Sequence, residues 1–171
     1  MPVDLAVESS SGSVELDLRG LELTALDASM SSGKMQVALP DRGGRAYEAA
    51  VSVSSGDLEV GVAPGARIDL GVRMSSGDVH VFVGALSNST VTFDGSSGQF
   101  TLEMVSGQAF RLEVRDVSSG SIVHPPGLVQ VTQGERGEGI WETPGYSGAG
   151  NKILLVVQHM SSGSVSIKLL E

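Results

Sequence analysis

A three-residue phrase, Ser-Ser-Gly, recurs seven times along the 171 residues, with its glycine at Gly12, Gly33, Gly56, Gly77, Gly98, Gly120 and Gly163. Successive steps are 21, 23, 21, 21, 22 and 43 residues, so the last step reads as two periods. A fixed period of this size belongs to a chain of stacked supersecondary units, none of which buries its apolar face without a neighbour. Glycine in the third position suits a corner that needs a positive φ, which costs a residue with a Cβ far more. The serines are small, and their hydroxyls can bond local backbone or the equivalent serine one level away. With stacked strands about 4.8 Å apart, they are expected to form two ladders along one edge.

The residues around each triplet define one unit. Two after each glycine stand Val14, Met35, Leu58, Val79, Phe100, Ile122 and Val165, and four after stand Leu16, Val37, Val60, Val81, Leu102, His124 and Ile167. Polar residues fill the positions between, the pattern of a strand with one wet face. Upstream, apolar residues fall three, five and seven before the glycine, as in Met30, Ala28 and Leu26. Each period therefore holds two strands joined by the triplet, and the far edge turns by varied means, such as Arg42-Gly43-Gly44 and Pro64-Gly65. The predicted fold is all-β: one flattened β-solenoid domain over residues 1–171, with coils of about 21 residues and Ser-Ser-Gly corners.

Two irregularities interrupt the pattern. The inward phase slips by one after Phe110, Leu112 and Val114, and again after Ile153, Leu155 and Val157. An extra residue of this kind is a bulge, predicted near Arg115-Asp116 and near Gln158-His159. Between 124 and 150 the corner due near residue 141 is absent. Here Leu128 to Thr132 reads as a strand and residues 134–150 as an irregular glycine-rich excursion containing the sole tryptophan. Trp141 and Tyr146 are expected to fold back over an end or side of the solenoid, with ligand binding as the alternative.

Composition excludes several classes. The net charge of −9, from 20 acidic against 11 basic residues, disfavours a nucleic-acid surface, which needs clustered Lys and Arg. One Trp, two Tyr and four Phe cannot make a ladder of stacking platforms. There are no cysteines for disulfides or thiolate metal sites. No apolar run approaches the roughly 20 residues of a membrane helix. The first residues, MPVDLAVESS, lack the parts of a signal peptide, and Val3, Leu5 and Val7 already face inward, so the solenoid is expected to start mid-repeat with a bare edge. Such an edge invites another chain, and self-association through the solenoid ends is expected.

Candidate chemistry concentrates on one outer patch. Asp57 and Asp78 each follow a corner glycine, and Glu59 and His80 lie two residues further on, so all four are expected to share a face. Three carboxylates and an imidazole could hold a hard cation such as Ca²⁺, or supply acid and base for polysaccharide cleavage. The plainer reading is a solvated strand face, because the flanking coils offer Lys34, Gln36, Gln99 and Thr101 instead of further ligands. The serines read as corner residues, with no elbow and no His and Asp at a spacing that would activate one. No phosphate-cradling glycine loop occurs, and no catalytic residue, cofactor or resident metal is expected.

The phrases SSGDLEV and SSGDVHV, with the closing GIWETPGYSGAGNKILLVVQHMSSGSVSIKLL, resemble the bacterial adhesin-like β-strand-repeat family, related to the toast-rack domains of envelope-stress membrane proteins. The resemblance implies a single-chain β-helix associated with the cell envelope or surface, and carries no catalytic residue. The expected function is a non-enzymatic structural or binding module whose partner is a protein or a surface glycan. The alternative is a calcium-binding or polysaccharide-active solenoid using the acidic patch, against which an acidic face repels a polyanion.

Overall fold

The computed structural model describes residues 1–171 and is mostly strand, with no α-helix. The strands are β1 (Val3–Ser9), β2 (Ser13–Asp17), β3 (Leu23–Leu39), β4 (Ala46–Val62), β5 (Arg67–Val83), β6 (Asn88–Gly95), β7 (Gln99–Val105), β8 (Ala109–Val114), β9 (Val117–Val123), β10 (Val129–Gln133), β11 (Gly139–Glu142) and β12 (Lys152–Leu170). β3, β4, β5 and β12 each run through a Ser-Ser-Gly corner and so supply two arms. All pairings are parallel except those of β11, and the architecture fits a flattened β-solenoid.

The arms form two walls around one continuous core. Leu26, Ala28 and Met30 before a corner, and Met35, Val37 and Leu39 after it, are buried in one cluster with all their counterparts in β4 and β5 and most of those in β6, β7 and β12. Leu5, Val7, Val14, Leu16 and Ile122 of the end coils pack against it partly buried. Burying a side chain of this size contributes about 1.5–3 kcal/mol. Near the fifth corner the packing is adjusted by a pair of changes. Gly95 stands where other coils carry Met30, Val53, Met74 and Met160, and a Cβ there would come 2.4 Å from Phe93 Cζ. The Phe93 ring fills that space and meets Phe100 of the opposite wall at 4.4 Å between centroids.

The corners stack in register, with Gly33 beside Gly56 and Gly56 beside Gly77. The corner glycines have φ between 106° and 121°, except Gly120, which does not adopt a positive φ, so the expectation of seven alike corners is corrected there. A Cβ at Gly56 would lie 2.0 Å from the Gly33 carbonyl oxygen, so glycine is required for close approach as well as for φ. The serines form one hydroxyl ladder, not two. The second serine of a corner donates to the carbonyl of the first serine one level away: Ser32 to Ser10, Ser55 to Ser31, Ser76 to Ser54 and Ser97 to Ser75.

Stacking order departs from chain order. β12 pairs with β6 and β7 on one side and with β8 and β9 on the other, so Gly163 lies between Gly98 and Gly120. The ladder confirms it, since Ser162 donates to Ser96 and Ser119 to Ser161. The last coil in sequence is thus the penultimate coil in space. Both bulges lie where the phase slips: β12 shifts register against β6 between Val157 and His159, and Arg115-Asp116 separate β8 from β9. The excursion is more ordered than expected. β10 and β11 form a hairpin, β11 pairs antiparallel with β8, and a single 3-10 turn covers Tyr146–Gly148.

Candidate functional site

The four acidic-patch candidates lie on neighbouring coils, Asp57 beside Asp78 and Glu59 beside His80. Glu59 and His80 turn to other partners. Glu59 accepts from Gln36 and lies 3.0 Å from Lys34 Nζ, and these two donors hold its carboxyl below the usual carboxylate range. His80 Nε2 sits 3.1 Å from Glu103 Oε2, out of line for a hydrogen bond. No three His, Asp or Glu side chains gather closely enough to hold a metal ion.

Trp141 and Tyr146 both pack against the protein. The Trp141 ring lies against the core and 5.7 Å from the His124 ring. Tyr146 is buried beneath Arg111, whose guanidinium carbon is 4.8 Å from the ring centroid, with Lys152 Nζ at 5.2 Å. Burial pushes its phenol above the ordinary range. Arg111 also donates to Glu142 Oε2 at 2.7 and 3.0 Å, which raises the guanidinium further and clamps β11 to β8. Thr143 completes the attachment, its N–H donating to the Phe110 carbonyl at 2.9 Å and its hydroxyl accepting from the Phe110 N–H at 3.0 Å. Trp141, Tyr146, Arg111 and Glu142 place the excursion without lining its cavity, whereas Thr143 and Phe110 both attach it and form part of the lining.

The cavity lies at the variable-turn edge, opposite the corners. The β7–β8 turn, the Pro125–Leu128 turn and the segment 143–151 enclose a cleft of about 540 Å³. Gly107, Gly127 and Gly145 carry positive φ values of 83°, 94° and 82°, which lets the three turns bend toward one another. Leu86 stands on the rim, 68% exposed, with φ of 58°. A left-handed conformation costs a residue with a Cβ about 1–2 kcal/mol, and strain of this kind clusters at functional sites. None of the lining residues is charged, although the chain carries −9 overall. Gln108 lines the cleft with a buried Oε1 that accepts no hydrogen bond, while its amide donates to the Val105 carbonyl at 3.5 Å.

A second constellation was invisible to sequence spacing. Asp116 Oδ2 lies 2.9 Å from His159 Nδ1, and His159 Nε2 lies 2.9 Å from Ser161 Oγ. The expectation that no serine has a paired His and Asp is therefore corrected. The insertion of β12 beside β9 brings the two bulge segments side by side, with Met160 opposite Val117. Met160 faces the core, so period-two alternation puts His159 and Ser161 together on the outer face.

Residues 3–108 match the family model Toastrack DUF4097. No curated protein matches the chain. Among solved structures the chain is similar to a putative cell adhesion protein from Clostridium sporogenes, with a TM-score of 0.52 and 17% identity over 73% of this chain. It spans 56% of that protein's length, and at this identity the likeness shows the fold. The chain belongs to the Toastrack DUF4097 family.

Proposed function

We propose that this chain is a non-enzymatic binding module of a bacterial cell surface or envelope, which takes an uncharged segment of a partner protein in the cleft around Gln108. Residues 1–171 act as one β-solenoid domain whose coils, 21 to 23 residues apart at successive regular corners, form the scaffold. The cleft's turns supply the specificity. The observation that carries this reading is the unpaired Gln108 Oε1, buried in a cleft without charge. A buried acceptor without a donor costs about 1–3 kcal/mol, which a ligand N–H would recover once the Gln108 side chain turns toward the cleft. Leu86, Pro125, Pro126 and Pro144 offer apolar surface around it.

Support for the setting comes from the family and from the C. sporogenes structure, whose name places that protein in cell adhesion. Most of the cleft comes from residues beyond the 3–108 match. A neutral surface glycan fits less well, because sugar faces stack on exposed aromatic rings and the one aromatic in the lining, Phe110, is fully buried.

Chemical-shift mapping tests the proposal. The isotope-labelled chain is titrated with a panel of short uncharged peptides and, separately, with neutral oligosaccharides. Shifts at Gln108, Gly127 and Gly145 with peptides, lost in Leu86→Asp and Gln108→Leu, are expected. Shifts confined to the Lys34–Glu59 face, or a response to oligosaccharides alone, would contradict it.

A further inference from the structure

We propose that Ser161 is an activated nucleophile that accepts an acyl group from esters with good leaving groups, with His159 as its base and Asp116 as the residue that orients the base. This goes beyond the binding function and rests on a different part of the molecule. The warrant is geometric: nucleophile to base at 2.9 Å and base to carboxylate at 2.9 Å, each distance within hydrogen-bond reach. A carboxylate can only accept, so Asp116 holds the proton on Nδ1 and leaves Nε2 to receive the Ser161 hydroxyl proton. Asp94 is the register partner of His159 on the neighbouring coil, on the side opposite the coil that supplies Asp116.

The arrangement is not a general property of the corners. The residues equivalent to His159 in the other coils are Glu8, Ser29, Ser52, Arg73, Asp94 and Asp116. None of these is an imidazole next to the first serine of its own corner. The ladder uses the carbonyl of each first serine and the hydroxyl of each second serine. Ser161 Oγ is thus free of ladder duty and is engaged by an imidazole instead. The site is open to solvent: the His159 and Asp116 side chains are 40% and 56% exposed, and Ser161 is half-buried beside them.

The step balances without a co-reactant. Ser161 Oγ forms a bond to the carbonyl carbon of an aryl ester as its proton passes to His159 Nε2. The tetrahedral adduct collapses, the bond to the aryl oxygen breaks, and the departing phenolate takes the proton from Nε2. Acylated Ser161 and a free phenol result, and nothing is oxidised or reduced.

The experiment uses p-nitrophenyl acetate and the full chain at neutral pH, with nitrophenolate release followed by absorbance and the acetyl group located by peptide mass mapping. One acetyl per chain at Ser161, appearing before any at Ser31, Ser54 or Ser96, is expected. Ser161→Ala should abolish that release phase while leaving the fold intact, because the ladder needs the Ser161 carbonyl and not its hydroxyl. His159→Gln should slow it about a hundredfold, the usual contribution of a general base. Asp116→Asn should slow it while leaving the far-UV spectrum unchanged. No acetyl at Ser161, or an unchanged rate in His159→Gln, overturns the proposal.

Discussion

Gly163 lies directly over Gly98, so closely that a Cβ on Gly163 would come 2.1 Å from the Gly98 carbonyl oxygen. The equivalent space beneath Gly12 is open, and Gly120 has no positive φ to preserve. Glycine-to-alanine substitutions should therefore separate two costs. Gly12→Ala carries only the conformational strain, about 1–2 kcal/mol. Gly56→Ala and Gly163→Ala add a backbone clash and should cost at least about 3 kcal/mol, the upper end of ordinary single-residue effects. Gly120→Ala displaces the flexible end of Met160 and should cost less than Gly163→Ala. Urea unfolding of the four variants checks the order.

Tyr47 governs the alkaline limit of stability. Its hydroxyl donates to the Pro40 carbonyl at 2.6 Å, and burial raises its phenol well above the usual 10.0, with Asp41 adding to the shift. A group raised in the folded state contributes stability fully below its unfolded pKa and loses it as pH rises beyond that value. The melting temperature should fall once pH passes about 10, and Tyr47→Phe should remove most of that dependence. The same variant leaves the buried Pro40 carbonyl unpaired, at about 1–3 kcal/mol at neutral pH. At the acid end, Arg19 pulls Asp17 down to about 2, and Glu59 is also lowered, so their contributions are lost as pH falls through the acid range. Both carboxylates are exposed, and the acid effect should be the smaller of the two.

Trp141 ties the β10–β11 hairpin to the stack, and the hairpin's outer strand is exposed along its whole length. Trp141→Ala should release the hairpin while sparing the central coils. Amide exchange at Val129–Gln133 should accelerate, whereas exchange in Ala46–Val83 should not change. Equal loss of protection in both regions would show that the hairpin and coils unfold together.

Much of this architecture is readable in the residues, for a physical reason. Seven glycine corners at a common step leave few alternatives, and alternation around them names the inward positions correctly down to Phe100 and Ile167. The bulges are readable too, because one surplus residue inverts the inward phase. Coil order is not readable, since every coil offers the same register and the same glycine, so the pattern is satisfied whichever coil lies next. One signal was present in Ile153-Leu154-Leu155-Val156-Val157, an unbroken apolar run unlike the alternation elsewhere and typical of an interior strand. Val156 is indeed buried on the outward phase. The Asp116–His159–Ser161 group depends on that hidden order: its members become neighbours only because β12 enters between two earlier coils. The cleft depends on how three glycine turns bend, which residue type permits without specifying.

The insertion of β12 is the central claim, and cross-linking tests it most directly. The chain has no cysteine, so introduced pairs report without background. Gln99 and Ser164 are register partners, as are Ser164 and Ser121, which places Gln99 and Ser121 two levels apart. Neighbouring levels, about 4.8 Å apart, lie within the Cα separation a disulfide spans, and alternate levels lie beyond it. Mild oxidation should join Gln99→Cys to Ser164→Cys in the double variant and leave the Gln99→Cys, Ser121→Cys pair reduced. A disulfide in the second variant and none in the first would mean that the coils stack in chain order, with β12 at the end of the solenoid instead of inside it.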